Sequence, residues 1–153
     1  MPRRAELRPV AGAFIVFGSF AGAWAVAVID IQRDFGLSDA ALGAVLAVGI
    51  LFAAALNAVG GALTERWGPN VALARSLAIW SLLLVGVAAS PSLGFFAVAF
   101  TLATAVGGMV DVVMNVLAAA ALSERPGHLV RFHGLFNAGA VLGAAITGAV
   151  LEL

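Results

Sequence analysis

No cysteine occurs in the 153 residues, which excludes disulfides, thiolate metal sites and cysteine nucleophiles. Lysine is absent as well, so all eight basic residues are arginine, and eight acids bring the formal net charge to zero. A chain with no basic excess offers no electrostatic reason to bind nucleic acid. Charge of either sign is scarce: charged residues make up 10% of the sequence and hydrophobic ones 63%, against roughly 25% and 45–50% in soluble domains. A soluble fold of this size cannot hide that much apolar surface. The expected solvent is therefore partly lipid, and the expected fold class is all-α, because helices satisfy their own backbone hydrogen bonds where water is absent. Neither HExxH nor GxSxG is present, and no paired aspartates lie within the apolar runs. An enzyme, a cofactor and a metal site are accordingly not expected.

What the sequence does contain is long apolar runs. A helix needs ~20 mostly apolar residues to cross the ~30 Å hydrocarbon core, and five stretches supply them: Val10–Ile29, Ala40–Leu63, Val71–Ala89, Leu93–Leu122 and Leu135–Leu151. The connectors between them, Asp30–Asp39, Thr64–Asn70, Ser90–Ser92 and Ser123–Gly134, leave no room for a soluble domain. Residues 1–153 read as a single polytopic membrane helix bundle. In the second connector, Gly68-Pro69 is a stop-and-restart signal, since Gly tolerates the conformation after a helix end and Pro suits a first helical turn. Arg3, Arg4, Arg8, Arg66, Arg75, Arg125 and Arg131 fall on one side of the alternating spans and only Arg33 on the other. Basic residues concentrate in cytoplasmic segments, so a cytoplasmic amino terminus in a plasma (inner) membrane is expected.

Few polar residues interrupt the spans. Asp111 lies well inside the fourth, where an Asp costs roughly 2.5–3.5 kcal/mol on the insertion scale. Positions three and four apart share a helix face, so Thr104, Gly107, Gly108, Asp111 and Asn115 form one stripe of polar and small residues, expected to face a cavity or another helix. Asp111 is a candidate proton-exchanging carboxyl, and hydrogen bonding to Asn115 or a neighbouring helix is the alternative. Asn57 and Asn137 are amides in apolar runs, suited to interhelical hydrogen bonds. Trp24 is expected in the outer half of the first helix and Trp67 in an interfacial belt. His128 and His133 are five residues apart, do not share a face, and have no third ligand nearby. Gly18/Gly22 and Gly139/Gly143 are GxxxG spacings, which leave generic packing and a dimer contact both open.

The segment after the second span reads Gly61-Ala62-Leu63-Thr64-Glu65-Arg66-Trp67-Gly68-Pro69-Asn70-Val71-Ala72-Leu73. It resembles the signature loop of the major facilitator superfamily, G-x-L-x-D-R-x-G-R-K-x-x-L: Gly61, Leu63, Arg66, Gly68 and Leu73 match, Glu65 replaces the Asp, and Pro69 and Asn70 replace the usual basic pair. The block Gly107-Gly108-Met109-Val110-Asp111-Val112-Val113-Met114-Asn115 and the stretch Phe132-His133-Gly134-Leu135-Phe136-Asn137 are similar to a bacterial branch of that superfamily related to fucose permeases. The resemblance implies a secondary active transporter of a small solute, proton-coupled as symporter or antiporter. Asp111 would be the coupling acid, with Asn115, Thr104, Asn137 and Trp24 around the pathway, while Gly61, Leu63, Glu65, Arg66 and Gly68 would form a gating latch in which Arg66 reaches Glu124. Members of the family have two six-helix halves, so five helices correspond to an incomplete first half. The partners implied are the lipid bilayer, a small solute with protons, and a missing carboxy-terminal half or second chain. A non-transporting accessory membrane protein is the alternative.

Overall fold

The computed structural model describes residues 4–122, 127 and 129–152. They form five helices: α1 (Arg4–Asp34), α2 (Asp39–Trp67), α3 (Pro69–Ala88), α4 (Leu93–Ala121) and α5 (Leu129–Leu151). All five are long and apolar enough to cross a membrane. At 1.5 Å per residue, even the 20-residue α3 spans about 30 Å.

Three helices run further than the apolar runs suggest, each for a local reason. The helix α1 continues past Ile29 to Asp34, where Arg33 and Asp30 form an i,i+3 ion pair that supports a further turn outside the apolar stretch. Asp30 is thus a paired acid within α1 and not part of a connector. The helix α2 continues past Leu63 to Trp67, with the Thr64 hydroxyl satisfied by the Gly60 carbonyl at 2.8 Å. The helix α5 begins at Leu129, ahead of Leu135. Its first turns are amphipathic, burying Phe132 while Arg131 and His133 stay exposed. Ser38 caps α2 by accepting a hydrogen bond from the Ala41 amide at 3.2 Å, satisfying one of the amides a helix start leaves unpaired.

The chain divides into two compact units. The first contains α1 and the segment from Leu117 onward, including α5. Its seam consists of two glycine pairs. A Cβ on Gly18 or Gly22 would collide with the backbone carbonyls of Phe136 and Ala140, and one on Gly139 or Gly143 with those of Ile15 and Ser19. Only the absence of side chains lets the two backbones approach this closely. Contact positions rise together along both helices, so α1 and α5 run parallel, as two odd-numbered spans must. The two GxxxG spacings therefore meet each other within one chain. Phe14 closes the seam at its start, packing on Phe132 at 5.3 Å and edge-on to His133 at 5.8 Å, and Phe17 faces Phe136 at 6.3 Å.

The second unit holds α2, α3 and α4 up to Val116. Here α2 and α4 also run parallel: Gly49 lies against Thr104, Ala53 and Asn57 against Gly108, and Gly60 against Met109. Phe35, in the turn before α2, packs on Phe96 at 5.1 Å, which in turn stacks with Phe100 at 5.5 Å. The buried Ser76 hydroxyl is satisfied within its own helix by the Leu73 carbonyl at 3.1 Å. Among the described residues no buried side-chain nitrogen or oxygen lacks a hydrogen-bond partner. By contrast Ile50, Leu51 and Phe52 of α2 are more than half exposed, a surface that suits hydrocarbon and not water.

Candidate functional site

The first half of the α4 polar stripe, Thr104 and Gly108, lies against α2. Thr104 sits on Gly49, whose missing side chain leaves room for the Thr methyl and hydroxyl, and Gly108 receives the closest approach of α2. With its amide nitrogen turned toward α4, Asn57 donates to the Gly108 carbonyl at 2.8 Å and to the Ala53 carbonyl of its own helix at 3.0 Å. One interhelical bond and one intrahelical bond use both of its N–H groups. The expectation that Asn57 bonds between helices is met, and the stripe's first half faces a helix.

Asp111 lies one turn beyond Gly108, half-buried. The amide nitrogen of Asn115 donates to the Asp111 backbone carbonyl at 2.9 Å and to its Oδ1 at 3.1 Å. Two acceptors on one donor group fix the Asp111 side chain relative to the next helical turn. Of the expected pathway residues, the structure therefore joins Asp111 to Asn115 and places Thr104 on the same α4 face. Trp24, half-buried on α1, and Asn137, exposed on α5, belong to the other unit. Among the described residues no cluster of three His, Asp or Glu side chains could hold a metal ion.

The signature segment is not a loop. Gly61, Leu63, Glu65 and Arg66 occupy the last two turns of α2, and the connector shrinks from Thr64–Asn70 to Gly68 alone. Gly68 has φ +78° and ψ 149°, a conformation open essentially to glycine, and Pro69 starts α3. Glu65 and Arg66 are both exposed. Glu124, the expected partner of Arg66, lies outside the described residues, as does His128. A cation that sequence reasoning missed stands at this elbow: the Arg75 guanidinium lies 4.6 Å from the centre of the Trp67 ring. The eight-residue separation of Arg75 from Trp67 carries no signal until the elbow is known to be one residue long.

Five helices apolar enough to cross a membrane, glycine-lined seams and one acid on a polar stripe within an apolar span describe a polytopic integral membrane protein. The family model for the Major Facilitator Superfamily matches residues 10–153, and the chain belongs to that superfamily, whose members are transporters and not enzymes. It is similar to an uncharacterized MFS-type transporter of Yersinia pestis, with 32% identity over 92% of this chain. It is also similar to an uncharacterized transporter of Sinorhizobium fredii, with 34% identity over 90% of this chain. The chain spans 37% of the length of each of these relatives. No solved structure matches it significantly.

Proposed function

We propose that the chain forms part of a proton-coupled secondary transporter of a small solute, with Asp111 as the carboxyl that takes up and releases the proton. The observation that carries this reading is Asp111 itself, set on the α4 polar stripe and tied to Asn115 at 3.1 Å. An acid in the middle of a span is costly and marks ion or proton pathways. Asn115 and Thr104 belong to the same stripe, and Trp24 and Asn137 are assigned to the solute pathway on the resemblance to the fucose-permease branch. Glu65 and Arg66, exposed at the end of α2, act as a latch on the helix ends around them. The arginine distribution supports a cytoplasmic amino terminus in the inner membrane of a bacterium.

Alternating access needs a second bundle to rock against. That bundle is supplied by the remainder of a longer polypeptide or by another chain, since the relatives are more than twice this length. Proteoliposomes test the reading. The assembled carrier accumulates its solute above equilibrium under an imposed pH gradient and loses that accumulation when a proton ionophore is added. Accumulation indifferent to the ionophore would contradict proton coupling. The absence of any flux from the assembled protein would favour a non-transporting accessory role.

A further inference from the structure

We infer that the α2–α3 elbow is a binding site for an anionic phospholipid, with Arg75 and Trp67 holding the phosphate and the exposed face of α3 carrying an acyl chain. Arg75 sits six residues into α3, about 9 Å below the helix start at 1.5 Å per residue. Its guanidinium does not stay at that depth. It reaches back over the Trp67 ring, 4.6 Å from the ring centre, at the very end of α2. A long cationic side chain at the edge of a span snorkels toward the headgroups, and an indole at that level is an interfacial anchor. The stack fixes the cation there, since a guanidinium is attracted to the face of an indole ring even when both are exposed. Both partners remain open: Arg75 is exposed and Trp67 is 37% exposed.

Beneath the cation runs an apolar track. Ile79, Leu82 and Val85 are 48%, 72% and 65% exposed, and with Arg75 they follow one another at spacings of four, three and three residues, which places them along one side of α3. From Arg75 to Val85 the helix rises about 15 Å, the depth of one leaflet of a ~30 Å hydrocarbon core. A headgroup at Arg75 and one acyl chain along α3 fit that length. A planar guanidinium matches phosphate oxygens two at a time, and a net negative headgroup gains where a zwitterionic one gains little.

Native mass spectrometry of the purified chain, released from micelles with equal amounts of phosphatidylglycerol and phosphatidylcholine, tests this. The wild-type chain retains phosphatidylglycerol in preference to phosphatidylcholine. Arg75→Gln lowers that preference by about fivefold, the worth of one cation near an anionic surface. Trp67→Leu, which leaves every charge in place, lowers it by a smaller factor. Arg33→Gln, at a cation already paired with Asp30, leaves it unchanged. A wild-type chain without headgroup preference overturns the proposal, as does an equal loss in the Arg33 and Arg75 variants. Displacement of the lipid by millimolar inorganic phosphate also overturns it, because the site would then bind an anion and not a lipid.

Discussion

At the scale of single residues, glycine and asparagine do the structural work in this chain. Gly18 faces a backbone carbonyl of α5, whereas Gly12, two turns earlier on the same helix, has nothing within 4 Å of a Cβ. Gly18→Leu is therefore expected to force α1 and α5 apart and destabilise the chain by about 1–3 kcal/mol, the usual cost of overpacking. Gly12→Leu is expected to be neutral, and denaturation in mixed micelles followed by circular dichroism distinguishes the two. Asn57→Leu removes the bond to the Gly108 carbonyl and is expected to cost about 0.6–2 kcal/mol in the same assay. The sequence made both kinds of residue conspicuous, since a GxxxG spacing or an amide in an apolar run stands out at once. Their partners were not legible, because a helical face says what can pack against it and not which helix arrives. For Gly18 and Gly22 the structure answers with α5 of the same chain.

Among the elements, helix existence was readable throughout, but helix ends only for α3 and α4, which fall within two residues of their apolar runs. Apolar run length locates the membrane-crossing part of α1, α2 and α5, but each helix continues into polar sequence where local interactions sustain it. The Asp30–Arg33 pair does so in α1 and the amphipathic turn around Phe132 in α5. The consequence is largest at the signature segment, which the resemblance describes as a loop and the structure resolves into two helix ends around Gly68. A single-residue elbow at φ +78° and ψ 149° leaves no tolerance for a side chain. Gly68→Ala is expected to lose about 1–3 kcal/mol through backbone strain. Gly61→Ala, in open space within α2, is expected to gain about 0.5–1 kcal/mol from improved helix propensity. Opposite shifts in thermal midpoint, seven residues apart, check the assignment of helix and elbow.

On the scale of the whole molecule, the parallel pairing of α1 with α5 and of α2 with α4 is what alternating membrane crossings require, and family membership is independent of it. The sequence supported the number of crossings through hydropathy and their direction through arginine count. Orientation is open to direct measurement because the chain has no cysteine. Ser38→Cys is expected to react with an impermeant maleimide added to intact cells, and Glu65→Cys only after permeabilisation; the reverse pattern would invert the topology. The candidate site was legible in part: Asp111 and Asn115 are recognisable from spacing alone, and the structure links them. The distribution of Trp24 and Asn137 in the other unit could not be read from composition, since it depends on how helices associate.

Asp111 remains the residue on which the functional account turns. Its side chain is fixed by Asn115 and lies one turn beyond the Asn57 contact on Gly108, the costly placement on which the proposed proton coupling rests. The most direct measurement is solute uptake by the assembled carrier carrying Asp111→Asn, compared with wild type under the same inward pH gradient. The account predicts that the variant still exchanges solute across the membrane but no longer accumulates it, a loss of at least tenfold in the concentration ratio reached. Uphill accumulation unchanged in the Asp111→Asn carrier would contradict it.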